Sequence, residues 1–85
     1  MYVLMMSSKR DRIEIMVEIL SLCLKPKTKT RVMYGTNLSW KMLQYYLSYL
    51  QEHGLLEIKN ESTKYVSTQR GLDFVAKWKE LKEFF

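Results

Sequence analysis

Trp40, Lys41, Gln44, Tyr45 and Ser48 recur at intervals of one, three and four residues. That spacing gathers side chains on one face of an α-helix. The face offers an ammonium donor, an amide that both donates and accepts, a hydroxyl and two flat apolar rings. Lys41 can donate to a phosphate or to guanine, and Gln44 can pair bidentately with adenine. Trp40 and Tyr45 can meet a thymine methyl or, like most aromatics of a small domain, fill core space. This is the chemistry of recognition, in which no covalent bond changes.

Groups for covalent chemistry are scarce. The chain holds one histidine, His53, and one cysteine, Cys23, too few to build a zinc site from these ligands. No Ser-His-Asp order, glycine-rich phosphate loop or carboxylate pair stands out, and Asp and Glu occur beside Lys or Arg. Cys23, near the end of an apolar helical stretch, reads as a small buried hydrophobe. His53, beside Gly54, reads as a helix C-terminal residue. The expectation is a protein that is no enzyme and needs neither metal nor cofactor. One cysteine allows no intramolecular disulfide, which favours a reducing compartment. No apolar run approaches a membrane span, and the N-terminal MYVLMM is too short for a signal segment.

The elements that must position the reading face follow from periodicity and punctuation. Eighty-five residues, 47% of them apolar, make one small domain. A first helix is expected over 9–24, capped by Ser7 or Ser8 and ended by Pro26, with Ile13, Met16, Val17, Leu20 and Leu24 as its apolar stripe. Lys27, Thr28, Lys29 and Thr30 read as a short strand. A second helix is expected over 31–34, capped by Thr30, with Gly35 in the left-handed C-terminal position. Ser39 caps a third helix running to His53, and Gly54 stops it. Leu43, Tyr46, Leu47 and Leu50 form its inner face. Two short strands at 55–59 and 64–67, joined by a polar turn, make a wing on which Leu56, Ile58, Tyr65 and Val66 can cover the core. A last helix starts at Thr68, with Leu72, Val75 and Ala76 toward the domain. Phe74, Trp78, Leu81 and Phe85, spaced four, three, four, form a heptad seam that either packs within the monomer or pairs with a second chain, and pairing is favoured because an exposed Trp and two Phe would be a costly patch.

Charge is placed unevenly. The net charge is +5. Residues 25–53 carry Lys25, Lys27, Lys29, Arg31 and Lys41 against Glu52 alone, a net of +4. The excess therefore lies in and just before the helix-turn-helix pattern, which suggests a polyanionic partner.

Three blocks carry a family likeness: KRDRIEIMVEIL at 9–20, TRVMYGTNLSWKMLQYYLSYLQEHGLLE at 30–57 and YVSTQRGLDFVAKWKEL at 65–81. With them the chain resembles the archaeal winged-helix DNA-binding proteins, typified by small chromatin-associated proteins that dimerise through a C-terminal helix. Gln44 and Tyr45 stand where that family commonly has two charged or polar residues, and the last helix is short. The resemblance implies an α+β, mostly α, winged helix-turn-helix fold: a tail at 1–8, a domain at 9–71 and a C-terminal dimerisation helix at 72–85. It implies double-stranded DNA and a second copy of the chain as partners, with cytoplasmic, nucleoid-associated localisation. The residues expected at DNA are Lys27, Lys29, Arg31, Ser39, Trp40, Lys41, Gln44 and Tyr45, with Lys59, Asn60 and Lys64 on the wing. The residues expected at the dimer contact are Phe74, Trp78, Leu81 and Phe85. The alternative is a protein-interaction module on the same scaffold, its aromatic face binding a protein.

Overall fold

A computed structural model describes residues 11–59 and 63–85. The described chain runs α1 (Arg12–Leu22), α2 (Lys29–Thr36), α3 (Trp40–Glu52), β1 (Leu56–Lys59), β2 (Lys64–Ser67) and α4 (Gln69–Lys82). This is the expected mostly helical α+β architecture, with the two strands paired antiparallel. The N-terminal tail, with Ser7 and Ser8, and Asn60 on the wing lie outside the described residues.

The start of α1 is set by a capping box rather than by serine. The Glu14 N–H donates to Asp11 Oδ1 at 2.8 Å, and the Asp11 N–H donates back to Glu14 Oε1 at 3.1 Å, so two orphan donors are satisfied reciprocally. The helix ends at Leu22, before Pro26 is reached. Its last turn is tied to the wing: the Ser67 N–H donates to the Cys23 carbonyl at 2.8 Å and the Ser67 hydroxyl to the Leu20 carbonyl at 2.7 Å. The buried face of α1 is Ile15, Met16, Val17, Ile19 and Leu20. Ile13 and Leu24, expected on the stripe, are exposed.

The expected strand over 27–30 shrinks to one bridge. The Lys27 N–H donates to the Tyr65 carbonyl at 2.9 Å, and the Tyr65 N–H donates to the Lys27 carbonyl at 2.7 Å. Thr28 then turns into α2, its hydroxyl accepting from the Arg31 N–H at 3.2 Å, so capping wins over strand extension. Gly35 is not the left-handed residue. It lies inside α2, and Asn37 takes the turn with φ 60°, a conformation asparagine adopts more readily than most residues. A Cβ on Gly35 would lie 2.7 Å from Leu22 Cδ1, so this glycine serves the close approach of α1 and α2.

α3 follows its pattern closely. The Ser39 hydroxyl accepts from the Met42 N–H at 3.1 Å. Leu43, Tyr46, Leu47 and Leu50 are buried, one turn apart on the inner face. The helix closes in a Schellman motif: Leu55 N–H to the Leu50 carbonyl at 2.9 Å and Gly54 N–H to the Gln51 carbonyl at 3.0 Å. Gly54 has φ +72°, as this closure requires.

In the wing, Leu56 pairs with Ser67 and Ile58 with Tyr65. Leu56 and Tyr65 are buried, Val66 is half-buried, and Ile58 is exposed near the hairpin end. The Thr68 hydroxyl caps α4, accepting from the Gly71 N–H at 3.1 Å while donating to the Gly54 carbonyl at 2.7 Å. Gly71 is buried, and a Cβ there would sit 2.2 Å from the Leu55 carbonyl oxygen. Phe74 and Val75 pack on the core, with Leu72 and Trp78 half-buried and Ala76 exposed. Phe74 thus packs within its own domain, because Gly71, Phe74, Val75 and Trp78 recur at helical spacing on the side of α4 that faces α1. Beyond them Leu81 is 56% exposed, Phe84 83% and Phe85 96%.

Candidate nucleic-acid interface

α3 is the second helix of the helix-turn-helix, and its outer face carries Trp40, Lys41, Gln44, Tyr45 and Ser48, all exposed. Thirteen residues at about 1.5 Å each give a rod roughly 20 Å long, and the major groove admits an α-helix. Trp40 is 50% exposed and Tyr45 47%, so the two aromatics that could have served the core stand at the surface. Met42, also exposed, flanks them. Ser39 is exposed, but its oxygen is occupied by the cap. The only carboxylate within α3 is Glu52, at its far end.

Two cations from other helices are pinned to this face. Lys29, the first residue of α2, is half-buried. Its Nζ lies 4.3 Å from the Trp40 ring centroid and donates to Gln44 Oε1. The Gln44 amide nitrogen in turn reaches the Ser48 hydroxyl at 3.5 Å. On the other flank, the Arg12 guanidinium donates to the Tyr45 hydroxyl and lies 5.7 Å from the same ring's centroid. Tyr45 also meets Tyr46 edge-on at 5.2 Å and stacks on Tyr49 at 6.3 Å, and Tyr49 meets His53 at 4.3 Å. Four rings therefore run along one side of α3, with Tyr46 part of the core.

The other basic residues expected at the site lie on neighbouring elements. Lys27 is half-buried and held by its backbone in the bridge to Tyr65, while Arg31 lies exposed on the first turn of α2. On the wing, Lys59 and Lys64 are directly opposite each other across the ladder. Like charges so placed destabilise a hairpin, an arrangement that a bound anion would relieve. Arg12 was not anticipated as part of the face. It is 33 residues from Tyr45 in sequence, so no local pattern links them.

Elsewhere, a shallow cleft between α1, the end of α3 and α4 has Met16, Leu55 and Phe74 among its lining, with Arg70, Asp73 and Lys77. Among the described residues no group of His, Cys, Asp and Glu could hold a metal ion, and no helix is long and apolar enough to cross a membrane. The Cys23 thiol is pushed up to about 11 from 9.0 by burial, with Lys27 opposing in part, so it is a thiol and not a thiolate near neutral pH.

A three-helix core, a helix-turn-helix and a two-stranded wing define a winged helix-turn-helix protein. Residues 9–85 match the family described as winged helix-turn-helix, and the chain belongs to it. It is similar in structure to Sso10a-2, a DNA-binding protein from Sulfolobus solfataricus, with a TM-score of 0.78 and 32% identity over 88% of this chain and 81% of that one. Two uncharacterised proteins of Methanocaldococcus jannaschii are also similar. One is 33% identical over 88% of this chain and 76% of its own length. The other is 38% identical over 76% of this chain but only 30% of its own length.

Proposed function

We propose that this chain binds double-stranded DNA as a homodimer and serves as a transcription regulator or small architectural protein on the nucleoid, without catalysing a reaction. The outer face of α3 enters the major groove. Lys41 and Gln44 address base edges there, and Trp40 and Tyr45 supply apolar contact. Lys27, Lys29 and Arg31, with Lys59, Asn60 and Lys64 of the wing, lie along the backbone and position the domain.

The observation that carries this reading is the composition of the α3 face. A helix-turn-helix presents aromatic and hydrogen-bonding groups outward, two further cations are pinned to them, and no carboxylate lies among them. The similarity to a DNA-binding protein supports the same reading. Homodimerisation rests on the end of α4, where Leu81, Phe84 and Phe85 form an apolar surface unsuited to water. Phe84 joins the expected seam in place of Phe74, and residues 72–85 divide their work: the first turns hold the domain and the last turn pairs. A two-fold dimer presents two reading helices to one duplex.

Fluorescence anisotropy with a labelled duplex tests the reading. The native chain is expected to bind, and the double substitution Lys41→Ala with Gln44→Ala to weaken binding at least tenfold with an unchanged circular dichroism spectrum. Unchanged duplex affinity in the double variant, with loss of a protein partner instead, would move the aromatic face to protein recognition.

A further inference from the structure

Gln44 is the residue of this face best suited to adenine, because its amide can accept from N6 and donate to N7 at once. The structure weakens half of that ability. A lysine ammonium has three donors and no acceptor, so the Gln44 group facing Lys29 must be its oxygen, and Oε1 is the atom Lys29 reaches. This fixes the orientation of the amide. Its nitrogen points the other way, toward Ser48. The Lys29 ammonium is itself held a second time, 4.3 Å from the Trp40 ring centroid. Trp40, Gln44 and Ser48 are successive members of one i, i+4 row, so Lys29 sits across the row from outside the helix.

The consequence is a change in what the row displays. Gln44 keeps a free N–H, Lys29 keeps two of its three, and Lys41 adds a third source of donors beside them. The Gln44 oxygen keeps a second lone pair, but the ammonium held against it repels a further donor such as the adenine N6 amine and favours an acceptor in its place. Guanine offers two acceptors, O6 and N7, side by side in the major groove, and adenine offers one acceptor and one donor. We propose that Lys29 is a specificity-determining residue: by placing its ammonium on the Gln44 oxygen it turns an adenine-reading amide into part of a cationic, donor-rich cluster that selects guanine. The proposal rests on the DNA-binding reading above and deepens it. Lys29 then contributes to base choice from α2, a helix otherwise given to the backbone.

The test is selection of bound duplexes from a randomised pool by the native chain, by Lys29→Met, by Lys29→Leu and by Gln44→Ala. Methionine keeps the length and apolar stem of lysine and removes its donors. The position read by Gln44 is the one whose preference flattens in Gln44→Ala. At that position the native chain is expected to favour guanine over adenine by about tenfold to a hundredfold, the range of one good bidentate contact. Both Lys29 variants are expected to shift that position toward adenine and leave the others unchanged. Adenine selected by the native chain, or guanine retained by both Lys29 variants, overturns the proposal. Native binding without any base preference also overturns it while leaving DNA binding intact, whereas no duplex binding at all overturns the DNA reading and this inference with it.

Discussion

The Arg12 guanidinium and the Tyr45 ring meet twice, through a hydrogen bond to the hydroxyl and through the ring face, whose centroid lies 5.7 Å from the arginine carbon. This pairing joins the first turn of α1 to the middle of α3, so the start of the first helix braces α3. Tyr45 is braced on its other sides by Tyr46 and Tyr49.

An exposed cation–π contact of this kind is worth about 0.5–1 kcal/mol. Arg12→Ala and Tyr45→Ala should therefore couple by about that amount in a double-mutant cycle of urea unfolding. The double variant is expected to lose less stability than the two singles together. Strict additivity would mean that each residue acts alone.

Gly71 and Gly35 predict outcomes of very different size for the same substitution. In Gly71→Ala the new Cβ meets the Leu55 backbone oxygen at 2.2 Å, and backbone cannot be moved aside as a side chain can. A loss of about 3 kcal/mol is expected, at the upper end of overpacking effects. In Gly35→Ala the obstacle is the end of Leu22, at 2.7 Å, which can rotate away, and alanine gains about 1 kcal/mol of helix propensity. That variant should stay within about 1 kcal/mol of the native chain. Chemical denaturation of both separates the two kinds of contact.

These two glycines also show where sequence reading reaches its limit. Ser39, the inner face of α3, Gly54 and the start of the last helix at Thr68 were all legible, because each is set by residues within a few positions along the chain. Gly35 was misplaced because it carries the same local signature as a helix-ending glycine, and only its distance to Leu22 distinguishes the two. The boundaries of α1 shifted because Asp11 and Glu14 form a capping box and Ser67 draws off the last turn's carbonyls. For the candidate site, the exposed row on α3 was legible from spacing. The pinning of that row by Lys29 and Arg12 was not, since both contacts arise from tertiary packing.

Cys23 gives a prediction in pH. Its folded pKa of about 11 lies above the ordinary 9.0, so the folded state holds its proton where the unfolded chain releases it. The stability this contributes is fully present below pH 9 and is lost as pH rises through 11, since stability falls with pH wherever the unfolded state binds fewer protons. Unfolding midpoints should decline across that window in the native chain and decline less in Cys23→Ala. The native thiol should also react with a thiol reagent at pH 8 only as fast as the protein opens.

The end of α4 predicts assembly. Sedimentation equilibrium at micromolar concentration is expected to give a dimer for the native chain and a monomer for the double substitution Leu81→Glu with Phe84→Glu. The variant should keep the native thermal transition of the core, because these side chains lie beyond Phe74 and Val75. A native chain that stays monomeric at a hundredfold higher concentration contradicts the pairing role.

Duplex binding across a salt series tests the central claim most directly, because phosphate contacts release counterions in proportion to their number. With Lys27, Arg31, Lys59 and Lys64 near the backbone, the logarithm of the association constant should fall linearly with the logarithm of salt concentration. Its slope is expected to be steeper than about −3 per subunit and to flatten by about 0.9 for each phosphate-contacting lysine replaced by alanine. A slope near zero, or no binding at the lowest salt, would contradict the account.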